Sequence, residues 1–266
     1  MEMKLSIIIP SHKDPLIHQT IESLLQNMRG EFEIIVVLDG YIPDVPIKND
    51  PRIKVLALEK NVGMRDAINA GMKLSQGKYL MKCDEHCMFD EGLDIKILDD
   101  IEDDWVVIPR RYKLDTDRWV ICKDDKEPID YERLVINRPE KIGGLNWPQR
   151  AKERKDILID ETMVFQGSCW FMSRKHWDFL GGLQKEGYGT FAQEAIEIAL
   201  KTWLGGGKVM VNKKTWYAHK HRKFGRISPV KNYEIDAGNR YSQDYWLNNR
   251  WEKRVHNLDW LMARFR

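Results

Sequence analysis

Six consecutive residues, Lys82-Cys83-Asp84-Glu85-His86-Cys87, bring two carboxylates, an imidazole, an amine and two thiols together. In an extended segment successive side chains alternate sides, so Asp84 and His86 point one way and Glu85 the other. A carboxylate oxygen and an imidazole nitrogen converging at a strand end form a two-point grip on a divalent cation. Mixed O/N ligation suits Mn2+ better than the all-oxygen shells preferred by Mg2+ and Ca2+. A hydrogen-bonded turn is the competing reading of an isolated Asp-x-His. Zinc held by Cys83, His86 and Cys87 is disfavoured, because alternation turns Cys83 away from Asp84 and no second pair stands at zinc-like spacing.

The elements that must position these residues follow from periodicity. Leu5 to Pro10 is a short, nearly continuous run of branched apolar residues and reads as a buried strand. Ile17, Ile21, Leu24, Leu25 and Met28 follow at helical spacing, with Gly30 as the expected stop. Strands are expected at Glu33–Leu38, Ile53–Leu58 and Lys78–Cys83, with a helix over 64–75 before the last of them. This strand–helix alternation predicts an α/β domain whose mostly parallel central sheet is flanked by helices. Ligands then bind beyond the C-terminal ends of the strands, where Asp39 and Asp84 both lie. Residues 112–160 are polar and broken by Gly143-Gly144 and Pro148, so a functional or partly ordered excursion is expected there. A β-like pattern returns from Thr162 to Phe171, a helix spans 193–204, and Lys208–Val211 is a further strand.

Composition sets the class. The 266 residues are 42% hydrophobic and 32% charged, enough apolar content for one composite core without disulfide staples. A net charge of +2 excludes a global polyelectrolyte, but residues 213–266 carry thirteen Lys and Arg against five Asp and Glu, a local +8. That end is a candidate anion site. The apolar start stops at Pro10 and no segment approaches 18 uncharged apolar residues, so neither a signal peptide nor a membrane span is expected. Cys83, Cys87, Cys122 and Cys169 then read as free thiols in a reducing, cytoplasmic compartment. Low-complexity segments, heptads and fixed-period repeats are absent from the sequence.

SIIIPSHKDPLIHQTIESLL, VVLDG and NVGMRDAINAGMKLSQGKYLMKCDEHC together resemble the nucleotide-sugar-binding half of family 2-type glycosyltransferases with the GT-A fold. Asp84-Glu85-His86-Cys87 resembles the Asp-x-His-Cys metal motif of polypeptide N-acetylgalactosaminyltransferases, and Gly63 lies 21 positions before it, as in that family. Further along, Gly143–Trp147, Met163–Leu183, Glu194–Gly207 and Trp216–Lys223 resemble the family's later segments in the same order. The resemblance implies a nucleotide-sugar-binding half at 1–110, an acceptor-side half at 111–223, and a basic tail, lid and helix at 224–266. It implies a metal-dependent, retaining transfer of a hexose or N-acetylhexosamine from a UDP-sugar to a hydroxyl acceptor. Asp84, His86 and His219 would ligate Mn2+. Asp39 would contact the uracil or ribose, and Arg222 the diphosphate, where a forked donor suits phosphate oxygens. Trp147 and Gly167 would shape the donor pocket, and Glu194 would stand near the sugar and acceptor as a catalytic residue.

Departures from the family pattern shape the alternatives. Ala195 stands where inverting relatives carry an Asp base, Asp66 where the family has Arg, and Ala218 where it has Gly. Without a recognisable lectin-like domain or anchor, a cytosolic enzyme of bacterial or phage type is expected. The tail interleaves Trp216, Tyr217, Phe224, Tyr233, Tyr241, Tyr245, Trp246 and Trp251 with basic residues. Such a pattern can follow a phosphate backbone and stack a flipped base, which raises DNA bearing a hydroxymethylated pyrimidine as an alternative acceptor. A glycan or protein acceptor is the other choice, and a non-catalytic nucleotide-sugar-binding module is the reading from a different class.

Overall fold

Ile7, Ile8 and Ile9 are all fully buried, which a strand achieves only when both of its faces are covered. The computed structural model, which describes residues 4–122, 127–137, 141–220 and 231–266, shows how. In chain order the elements are β1 (Leu5–Ser11), α1 (Ile17–Asn27), β2 (Phe32–Asp39), β3 (Ile53–Leu58), α2 (Met64–Leu74), β4 (Tyr79–Cys83), β5 (Cys87–Phe89), α3 (Leu93–Leu98), β6 (Trp105–Asp115) and β7 (Val120–Ile121). They continue with β8 (Glu132–Asn137), β9 (Lys141–Asn146), α4 (Pro148–Glu153), β10 (Ile159–Glu161), β11 (Cys169–Ser173), α5 (Arg174–Leu180), α6 (Glu194–Leu204), β12 (Lys208–His219), α7 (Asn232–Leu247) and α8 (Leu258–Arg264).

The main sheet runs β10-β12-β6-β11-β4-β1-β2-β3. Neighbours β3-β2-β1-β4 and the pair β6-β12 are parallel, while β11 and β10 run against them. One face packs Ile7, Ile9, Ile34 and Val36 against α1 and α3. The other packs Ile8, Ile35, Val37 and Leu80 against α2, α5, α6, α7 and α8. Helix α2 lies close enough to the sheet that a Cβ on Gly71 would come within 2.6 Å of Ile8 Cγ2. The single α/β domain with a mostly parallel sheet is therefore the architecture that the alternating pattern predicted.

Several expectations from the sequence change. Helix α1 ends at Asn27 rather than at Gly30, whose amide instead donates to Asp94 Oδ2 at 2.7 Å. The supposed irregular excursion contains the hairpin β8-β9, α4 and β10. Gly144 sits inside a strand because it pairs with Leu134 of β8, and a Cβ there would stand 2.8 Å from Glu132 Oε2. Within Thr162–Phe171 the ladder begins only at Cys169, since the earlier residues bond outward, Thr162 to Val209 and Val164 to Glu132. Strand β12 continues past Val211 to His219 through an irregularity between Asn212 and Trp216. In the tail expected as a basic lid, residues 224–230 lie outside the described residues. Trp246, Leu258 and Leu261 of α7 and α8 are buried in the same cluster as α6.

Arg65 ties α2 to α6 from a fully buried position. Its guanidinium pairs with Glu197, donates to the carbonyls of Gln184 and Ala192, and lies 4.4 Å from the Tyr188 ring centre. Glu197 would keep Lys201 at 2.7 Å, but the carbonyls of Gln184 and Ala192 would lose their buried donor, so Arg65→Ala is expected to lower the unfolding free energy by about 3 kcal/mol in denaturant melts. Burial also depresses His176, packed against Thr202 Oγ1, to about 4. An unfolded chain takes up this proton near 6.5 and the folded chain only near 4, so acid favours unfolding through that window. Relative to His176→Gln, the wild-type chain is expected to lose about 3 kcal/mol of stability between those two pH values, measured by denaturant titration at each pH.

Candidate functional site

Strand β4 ends at Cys83, and the chain bends through Asp84, Glu85 and His86 before β5. His219 arrives from the other half of the sequence because β5 pairs antiparallel with β12, which sets His219 opposite Cys87. Three atoms converge there. His219 Nε2 lies 3.1 Å from both Asp84 Oδ2 and His86 Nε2, and His86 Nε2 lies 3.9 Å from Asp84 Oδ2. Neighbouring ligands of an octahedral shell with bonds of about 2.1 Å sit about 3.0 Å apart, so this spacing and this donor set fit a divalent cation.

The surroundings prepare those atoms. Burial lowers His219 to about 4, against the pull of Asp84, so its imidazole is neutral at neutral pH and keeps a lone pair. Burial opposes ionisation of Asp84, but Lys82, His219 and His86 together hold its carboxyl well below the usual range. Behind His86, Asp14 Oδ2 stands 3.2 Å from Nδ1, while Asp14 Oδ1 accepts the Leu16 amide at the start of α1. Oδ2 and Nδ1 are not aligned for a hydrogen bond, but the carboxylate's charge at that distance favours a proton on Nδ1, which would leave Nε2 its lone pair for a metal. Asp14, Glu85 and His86 form a second close group, yet burial pushes Glu85 up to about 8, so it retains its proton at neutral pH. Glu85 accepts the His12 amide at 3.0 Å, and because the chain bends here its carboxyl lies near His86 rather than on the face strand alternation predicted. No cysteine joins either group among the described residues, and all four cysteines are free thiols.

Lys82 links this triad to Glu194. Its buried ammonium donates to Asp84 Oδ1 at 2.6 Å, the Gly167 carbonyl at 2.7 Å and Glu194 Oε2 at 3.4 Å. Glu194 Oε1 accepts the Trp170 indole N–H at 2.8 Å, and burial raises its carboxyl above the ordinary value despite Lys82. A Cβ on Gly167 would lie 2.6 Å from Glu194 Oε2, so this glycine makes room for the carboxylate. Thus Asp84, His86, His219, Glu194 and Gly167 form one connected group.

The other candidate residues behave differently. Asp39 is buried, and its carboxylate accepts Asn61 Nδ2 and the amides of Val62 and Gly63 at 2.6–2.9 Å, which fixes the loop before α2. The Trp147 ring packs on Phe265 at the end of α8 and under the Arg150 guanidinium of α4, rather than against the triad. Arg222 lies outside the described residues. Asp66, at the family's Arg position, pairs with Lys185 at 2.5 Å. In the tail, Tyr217, Trp246 and Trp251 are buried, Tyr241 and Tyr245 pack on Tyr188, and Trp216 packs on Tyr112. Of the described aromatics in that pattern, Tyr233 is the one well exposed, so the spacing that resembled a base-stacking track is mostly core packing. Sequence reasoning gave no role to Lys82 or Asp14. A charged residue within an apolar strand marks the first, and Asp14-Pro15 ahead of a helix reads only as a turn.

The sequence matches the family model described as Glycosyl transferase family 2 over residues 6–180. Polypeptide N-acetylgalactosaminyltransferase 5 of Caenorhabditis elegans is 24% identical over 243 residues, covering 82% of this chain and 37% of that protein. Among solved structures, GalNAc-T7 with UDP, GalNAc and Mn2+ matches with a TM-score of 0.67 at 18% identity, over 83% of this chain and 44% of that one. S. aureus TarS 1–349 in complex with UDP-GlcNAc matches with a TM-score of 0.54 at 16% identity, over 86% of this chain and 62% of that one. At these identities the structures share the fold. The chain spans less than half the length of the nematode relative and of GalNAc-T7. No helix among the described residues is long and apolar enough to cross a membrane.

The triad is expected to bind Mn2+, followed by the loss of the free-ion signal in electron paramagnetic resonance. Asp84→Asn and His219→Ala should each abolish that loss, and Asp14→Asn should weaken binding about ten-fold by removing the negative charge behind His86.

Proposed function

This chain is a member of glycosyl transferase family 2, and on that premise we propose that it transfers a sugar from a UDP-sugar to a hydroxyl acceptor using Mn2+ held by Asp84, His86 and His219. The observation that carries this reading is the convergence of Asp84 Oδ2, His86 Nε2 and His219 Nε2 within 3.9 Å at the C-terminal end of the parallel strands. When bound there, the cation supplies positive charge to the diphosphate as it leaves.

The chain's own residues hold the rest. Asp14 places a carboxylate behind His86, and Lys82 fixes Asp84 through Oδ1 so that Oδ2 faces the two imidazoles. Asp39 has used three of about four acceptor sites on the 61–63 loop, and the one left on Oδ1 would serve the uracil or ribose. Gly167 brings its backbone against Lys82 and Glu194, which supports its place at the donor sugar. Trp147 is assigned to the donor pocket, and Arg222 to the diphosphate, by the family's motif order. Retention of configuration is supported by Ala195, which offers no base, and by Glu194, whose two oxygens already face Trp170 and Lys82. On this reading no side chain acts as a nucleophile.

A panel of UDP-sugars incubated with Mn2+ tests the proposal through UDP release. At least one donor should be turned over, and Asp84→Asn should slow it by about 100-fold or more, the scale of losing charge stabilisation at a leaving group. Tight UDP binding with neither hydrolysis nor transfer would overturn the enzyme in favour of a nucleotide-sugar-binding module.

A further inference from the structure

Next to His219 the sheet opens into a cleft bordered by Arg111, Asp130, Glu132, Phe165, Gln166 and Tyr217. Strand β12 sets Tyr217 opposite Arg111 and His219 opposite Lys113, so Arg111 is one strand across and two residues back from the triad. Strand spacings put that separation at roughly 8 Å between Cα atoms. The cleft has room for a water-sized group, so it admits the polar edge of a ligand and not a whole ring.

Arg111 is the unusual residue. It is 6% exposed, and its Nη2 donates to Glu132 Oε1 at 3.2 Å, but its Nε and Nη1 are buried without a hydrogen-bond partner. Unsatisfied buried donors are rare in folded proteins, and a guanidinium with open N–H groups calls for acceptor oxygens. The charge around it argues against an anion. Arg110 pairs with Asp130 through two bonds of 2.8 and 2.7 Å, and Arg111 pairs with Glu132, so two cations already face two carboxylates. A hydroxyl meets both needs, accepting from Arg111 while donating to Glu132. Phe165 and Tyr217 border the cleft on its apolar side, so the polar contacts to an entering hydroxyl fall to Arg111 and Glu132.

We propose that this cleft binds neighbouring hydroxyls of a neutral sugar, with Arg111 as the donor and Glu132 as the acceptor. As the subsite that holds the acceptor beside the cation site, it rests on the sugar-transfer reading above.

The test titrates the full chain, with Mn2+ and UDP present, against the neutral methyl glycosides of glucose, galactose, mannose, N-acetylglucosamine and N-acetylgalactosamine, and against methyl glucuronide and glucose 6-phosphate. Saturation-transfer NMR reads the binding. At least one neutral glycoside should bind the wild-type chain, and Arg111→Met should weaken it by about ten-fold or more. Glu132→Gln, which keeps a carbonyl facing Arg111 and so preserves local packing, should weaken the same glycoside, while UDP affinity stays within about two-fold in both variants. Three outcomes overturn the proposal: no neutral glycoside binds, the variants bind like wild type, or the charged sugars bind about ten-fold tighter than their neutral counterparts. Glycoside binding that persists where UDP fails to bind would count against the transfer reading and leave the cleft standing.

Discussion

A fully buried ammonium stands at the end of β4, and the rest of the site is arranged around it. Burying a charge is costly unless it is paired and hydrogen-bonded, and Lys82 has three acceptors within 3.4 Å. Meeting that demand divides the Asp84 carboxylate between two tasks. Oδ1 answers Lys82, which leaves Oδ2 turned toward His219. The same demand draws the Gly167 carbonyl and Glu194 inward, and residue 167 can approach so closely only without a Cβ. One buried amine thereby fixes the relative positions of groups drawn from β4, the turn before β11, and α6.

A second constraint brings the halves of the chain together. A parallel sheet alone would leave His86 and His219 at the ends of separate strands, 133 residues apart in sequence. The short β5 turns back against β12, and the pairing of Cys87 with His219 delivers the second imidazole to the first. The Cys87 amide is itself anchored by Thr20 Oγ1 of α1 at 3.0 Å, which ties the ladder to the underlying helix. A slip of one residue in this register would turn His219 to the opposite face, so the donor set depends on a backbone alignment as much as on its side chains.

The first half of the fold was legible because its signals are local. Branched apolar runs gave β1 to β4, and helical spacing gave α1, α2 and α6, with boundaries within a few residues. The hairpin β8-β9 was not legible, because Gly143-Gly144 reads as a breaker, and what makes it a strand is its pairing with Val135 and Leu134. The far half of β12 was hidden by Asn212, Lys213 and Lys214, whose polar atoms are satisfied by Lys96, Arg154 and Asp100 from distant segments. At the site, Asp84 and His86 could be found from spacing, whereas His219 was found only through motif order. Lys82 and Asp14 escaped because their roles exist only as distances to other side chains.

Burial does more here than exclude water. It holds His219 neutral down to about 4 and keeps a proton on Glu85 up to about 8, two shifts of opposite sense with the same outcome. At neutral pH the imidazole presents a lone pair, and Glu85, though beside His86, adds no charge of its own to the carboxylates already there. Asp84 remains the ionised member of the triad, stabilised in that state by Lys82 and both histidines. The protonation states that a cation requires of its ligands are thus set by the fold itself. A cation held there would require only small movements of three side chains already within 3.9 Å of one another.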